Sequence, residues 1–105
     1  MSIVFLNVRS LVESGATSKN DVLVIAECTK DYFLKNGLFV NSIDISNRPI
    51  DIEFTLSTSE LTTDGMLLAK QGWLKYIQSL DKNPDKDPRD TKIMDKYLKK
   101  IHDLG

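Results

Sequence analysis

Ile43-Asp-Ile-Ser-Asn-Arg-Pro-Ile-Asp-Ile-Glu-Phe-Thr-Leu-Ser57, followed by Leu61-Thr-Thr-Asp-Gly-Met66, carries the strongest structural signal in the chain. Ile50, Ile52, Phe54 and Leu56 alternate with Asp51, Glu53, Thr55 and Ser57, the period of a half-buried strand. Upstream, Ile43 and Ile45 alternate with Asp44. Between them Ser46-Asn-Arg-Pro49 has turn composition, and proline is tolerated at the first residue of a strand. The pattern predicts an antiparallel β-hairpin. Thr62 then stands where a helix N-cap belongs. Leu61 and Met66 have the spacing of a hydrophobic staple, and Asp64 falls in the positive first turn. The predicted helix carries Met66, Ala69, Trp73, Tyr76, Ile77 and Leu80 along one stripe.

On the N-terminal side, Val4, Val8, Leu11 and Val12 recur at helical spacing before Gly15, which predicts a helix over 2–14. The apolar run Ile3–Leu6 fits a short strand equally well. The next segment opens with Ser18 as cap and Asp21 at N3. Its apolar positions Val22, Ile25, Ala26, Tyr32 and Phe33 return about every turn, and Asn36-Gly37 stops it. The run Val22-Leu-Val-Ile25 is β-prone, but the length without a turn signal favours a helix. On the C-terminal side, residues 81–90 form a polar Pro/Asp/Lys connector whose two prolines cannot continue a helix. A last helix follows, with Ile93, Met94, Tyr97, Leu98, Ile101 and Leu104 on its stripe. The fold expected is a single α+β domain over 1–105, in the order α-α-β-β-α-α.

The 105 residues fit one core, with 41% hydrophobic and 28% charged residues. No apolar run approaches the ~18 residues that span a bilayer, and no basic segment precedes the first apolar stretch as in a secretory leader. A lone cysteine, Cys28, makes no internal disulfide, so a reducing, cytoplasmic setting is expected. Residues 1–65 hold nine acids against five bases, a net of −4, and residues 66–105 hold nine bases against six acids, a net of +3. A frankly basic nucleic-acid surface is not what this balance describes.

Motifs for chemistry fail on particular residues. Asp81, Asn83 and Asp85 open like a calcium-binding EF-hand loop, but Lys86 and Lys92 occupy the positions that need glycine and glutamate. His102, the one histidine, sits on the polar face of the last helix beside Lys99, Lys100 and Asp103. There an exposed histidine suits the helix dipole. Cys28 lies near Glu27 and Asp31, which disfavour a thiolate, so a structural thiol is expected. The glycines are scattered, leaving no phosphate-cradling loop. No catalytic residue, metal or cofactor is therefore expected, and the chain reads as a non-enzyme.

Two features are less bland. Asp44, Asp51 and Glu53 are expected on one outer face of the hairpin, either as a solvated surface or as an acidic patch steering a basic protein partner. In the following helix, Gly65, Ala69, Gly72 and Tyr76 form a strip of small residues ending in a tyrosine. Two glycines cost a helix about 1 kcal/mol each, so close approach of another backbone is the expected compensation. Leu67 and Leu74 lie well round this helix from its main stripe. A helix apolar on two sides needs cover on both, from the hairpin and the last helix or from a second protein.

Lys35-Asn-Gly-Leu-Phe39, the predicted hairpin, Phe54-Thr-Leu56 and Glu60-Leu-Thr-Thr-Asp-Gly-Met-Leu-Leu68 resemble the second half of a winged-helix domain. The resemblance covers less than half of the chain. It implies a DNA reader, with the helix before Gly37 in the groove and Arg48 at the wing tip. The residues themselves set Asp44, Asp51 and Glu53 around Arg48, where they repel phosphates. The reading that follows is a non-catalytic protein-interaction module of the small bacterial or phage accessory or toxin-neutralising type. Its partner-binding residues would be Asp44, Asp51, Glu53, Leu67 and Leu74, and its partner a protein, basic or a second copy. A winged-helix-like nucleic-acid-binding regulator is the alternative.

Overall fold

The strand at Phe54–Leu56 forms, but the strand that pairs with it comes from the beginning of the chain. The computed structural model describes residues 3–15, 18–83 and 85–104, apart from the Leu104 side chain. In it Val4–Asn7 (β1) runs antiparallel to Thr55–Ser57 (β2), matching Val4 with Ser57, Leu6 with Leu56 and Asn7 with Thr55 across a register irregularity. These two strands make up the sheet among the described residues. Helices α1 (Val8–Glu13), α2 (Lys19–Lys35) and α3 (Ser42–Ser46) lie between them. A 3₁₀ turn, Thr58–Glu60, leads to α4 (Thr63–Lys70), α5 (Gly72–Lys82) and α6 (Lys92–Leu104). The molecule is a small α+β domain: among the described residues, three α-helices lie between the two strands of the antiparallel pairing and three follow it. Its radius of gyration, 13.1 Å, matches the roughly 13 Å of a close-packed chain of this length.

Local chemistry accounts for the element ends. The Ser18 hydroxyl accepts from the Asp21 amide and the Thr62 hydroxyl from the Gly65 amide, so both predicted caps hold. Helix α2 ends at Asn36, and Gly37 turns the chain at φ +65, a conformation glycine adopts without strain. Pro84 in the connector and the Leu104 side chain in the last stripe lie outside the described residues.

Four local expectations are corrected. The helix read over 2–14 is a strand followed by a short helix, because Ile3–Leu6 finds β2 as its partner. Residues 22–28, by contrast, are helical as expected. Ser42–Ser46 is a helix, not the first strand of a hairpin: the Asn41 side chain caps it by accepting from the Asp44 amide. Ile43 and Ile45 would share one face of a strand, yet Ile43 is 74% exposed and Ile45 only 1%. Between Ile50 and Phe54 the inward alternation survives, but Phe54 N–H donates to the Asp51 carbonyl in a turn, and the ladder begins only at Thr55. The helix expected to run from Thr62 to Leu80 breaks at Gln71 (φ −118, ψ −74) into α4 and α5.

The core joins the sheet to the helices. Leu6, Leu56, Phe33, Phe54, Leu68, Tyr76 and Met94 are fully buried. Phe5 stacks on Phe33 at 5.7 Å and meets Trp73 edge-on at 5.3 Å between centroids. The indole N–H of Trp73 donates to the Thr29 hydroxyl at 3.0 Å, and among the described residues no buried side-chain polar atom lacks a partner. The small-residue strip is consumed internally. A Cβ on Gly65 would meet the Leu38 carbonyl oxygen at 2.7 Å, and one on Gly72 would meet Leu68 at 2.6 Å and Tyr97 at 2.8 Å.

Candidate interaction surface

Because Ser42–Ser46 is helical and 51–53 lies in the following turn, the acidic residues do not share a sheet face. Asp44 sits on α3, where its carboxylate takes a hydrogen bond from Arg48 Nη2 at 2.9 Å. Glu53 pairs with Arg9 of α1 across the surface. The Asp51 carboxylate accepts from the Glu53 amide at 2.9 Å and so caps its own turn. Arg48 is the hub. It forks onto Glu60 (2.6 and 3.2 Å), donates to the Thr55 carbonyl (3.1 Å) and holds Asp44. The paired Glu60 carboxylate raises the Arg48 pKa further. Partial burial alone would raise the Glu60 pKa, but Arg48 and the Ser57 N–H together hold it below the usual carboxylate range. A shallow cavity of about 530 Å³ lies here, bordered by Arg48, Asp51, Glu53 and Glu60. The wing-tip arginine of the winged-helix reading is thus already engaged by two carboxylates, and no hairpin forms over 43–56.

Leu74 behaves differently. It is 48% exposed on α5 and lines an apolar groove of about 320 Å³ with Ile3, Val4 and Phe5 of the β1 segment and Ala69 and Trp73. Ile3 and Val4 are themselves 58% and 52% exposed. Among the described residues that line it, Lys70 is the one that carries a charge. Leu67 is also exposed but does not line the groove: it belongs to α4, and the break at Gln71 separates it from Leu74. Both leucines keep a substantial exposed fraction. Ile3 and Val4 are not among the partner-binding residues expected from the sequence; the apolar run Ile3–Leu6, which fits helix and strand equally, is the signal that points to them. Val40 is also exposed and borders a small cleft with Asp44 and Ile45, and Ile43 is exposed on α3.

Cys28 is half-buried at a cleft of about 260 Å³ with Glu27, Asp31, Tyr32 and Arg89. Burial, opposed by Arg89 and reinforced by Glu27 and Asp31, raises its thiol pKa. His102 is exposed, its Nε2 3.7 Å from Asp64 Oδ2 on α4. Among the described residues no three His, Cys, Asp or Glu side chains converge as a metal site, and no helix is long and apolar enough to cross a membrane. A scan against family models, a search of curated proteins and a search of solved structures each return no match.

Proposed function

We propose that this chain is a non-catalytic protein-interaction module whose docking surface is the groove between the β1 segment and α5. One observation carries the reading: three large apolar side chains, Ile3, Val4 and Leu74, stand about half exposed around a single apolar groove. Contiguous exposed apolar surface costs solubility, and on soluble domains it marks contact sites. Trp73 and Phe5 form part of the groove wall, and tryptophan is among the side chains enriched at the energetic hot spots of protein contacts. The acidic residues take a lesser part. Asp44 and Glu53 already have arginine partners in their own chain, so a basic protein meeting them would displace existing pairs.

Affinity capture from the native host with the wild-type, Val4→Lys and Leu74→Lys chains tests this. A partner retained by the wild type and lost by both variants, with thermal unfolding unchanged, is the expected result. Sedimentation of the purified chain identifies the case in which that partner is a second copy. Equal recovery by all three chains would remove the reading.

A further inference from the structure

Residues 41–53 begin and end at pinned points. At the start, Phe39 bridges Leu61, and the Val40 amide donates to the Glu60 carbonyl at 2.9 Å. At the end, the Phe54 carbonyl accepts from the Val8 amide at 3.1 Å just before β2. The segment between is an Ω-loop in form, within the usual span of about 6–16 residues, with α3 inside it. Its hold on the domain is small in apolar terms. Ile45 is its one fully buried side chain, Ile50 and Ile52 are partly buried, and Ile43 points to water. The remaining ties are polar. Arg48 crosses from the loop to Glu60 and Thr55 at the pinned points, and Lys30 of α2 donates to the Ser46 and Arg48 carbonyls at 3.3 and 2.7 Å.

We propose that residues 41–53 open as a unit while the rest of the domain stays folded, with the Arg48–Glu60 pair as the latch that salt and acid release. Segments with few buried apolar contacts and partly exposed ties open with free energies well below that of global unfolding. Opening uncovers Ile45, which in the closed state lines a small cleft with Val40 and Asp44. The charges facing the latch are Asp44 on α3, Lys30 on α2, Asp51 in the loop, and the Glu53–Arg9 pair reaching to α1. Asp44 takes a hydrogen bond from one terminal guanidinium nitrogen, whereas Glu60 takes one from each. Its pKa is lowered in the closed state, so its contribution is present at neutral pH and disappears as pH falls below the ordinary value of 4.5 and through the lowered one.

Native-state amide exchange on the wild type and Glu60→Gln decides the matter. Glutamine still accepts from the Ser57 amide but carries no charge. After correction for intrinsic rates, the loop amides of Ile45, Asn47 and Arg48 are expected to exchange about tenfold faster in the variant at neutral pH. That is the size of a lost charge-assisted hydrogen bond discounted for partial exposure. Amides inside α2 should hold their rates. The two proteins should converge in acid, where the wild-type carboxyl is itself neutral. If Glu60→Gln does not fold, raising NaCl on the wild type at neutral pH should accelerate the same loop amides and leave α2 unchanged. Loop and α2 amides shifting by one common factor, or a variant-to-wild-type ratio identical at neutral and acid pH, would overturn the proposal.

Discussion

At the scale of single residues, Gly65 shows how a position that costs helix propensity can be required. It lies inside α4 and is buried there, and the Leu38 backbone carbonyl would stand 2.7 Å from any Cβ placed on it. Backbone cannot rotate away as a side-chain tip can. Gly65→Ala is therefore expected to lose about 1–3 kcal/mol despite alanine's better helix propensity, read as a lower urea midpoint. An unchanged or higher midpoint would mean that Leu38 yields freely. The sequence announced the need for a close neighbour from the two glycines alone. It did not say whether that neighbour was internal or foreign, since the same absence of a side chain serves both.

At the scale of elements, helix starts follow short-range hydrogen bonds and were legible. Thr62→Ala removes the acceptor for the Gly65 amide and is expected to cost about 1 kcal/mol, with Thr62→Ser close to wild type in the same chemical denaturation. Equal stability of all three would show that water replaces the cap without loss. The middle of the chain was read less well for a physical reason. Ile43-Asp-Ile45 is too short to distinguish period 2 from period 3.6, and the Asn41 cap, two residues upstream of it, tips it to helix. The break at Gln71 likewise has no proline to announce it. It falls next to Gly72, which fits closely against Tyr97 of α6.

At the scale of the whole molecule, two tyrosines tie separate layers. The Tyr32 hydroxyl donates to Asp95 at 2.6 Å, joining α2 to α6, and the Tyr76 hydroxyl donates to the Pro88 carbonyl, joining α5 to the connector. Burial pushes both phenols well above the ordinary 10.0. Asp95 adds to the effect at Tyr32, and the charges of Cys28, Asp87 and Asp90 add to it at Tyr76. A group whose pKa is raised by folding contributes stability that is whole below pH 10.0 and lost as pH climbs through the raised value. An alkaline titration followed by phenolate absorbance and circular dichroism should show Tyr32 and Tyr76 ionising within the unfolding transition. Their gradual ionisation near the ordinary value with the fold intact would contradict this.

Local information in the chain determined the caps at Ser18 and Thr62, the stop at Asn36-Gly37, the inward face of Ile52–Leu56 and the amphipathic last helix. Each depends on groups within about four residues of one another. Tertiary structure alone decided which strand pairs with Thr55–Ser57, that Arg9 answers Glu53 and Arg48 answers Glu60, and that Leu74 meets Ile3 and Val4 around one groove. Those contacts join distant stretches of chain, and the Ile3 amide bonds a hydroxyl 55 residues away. No pattern read over a few residues specifies a partner at that separation, because it is chosen by the packing of the whole core.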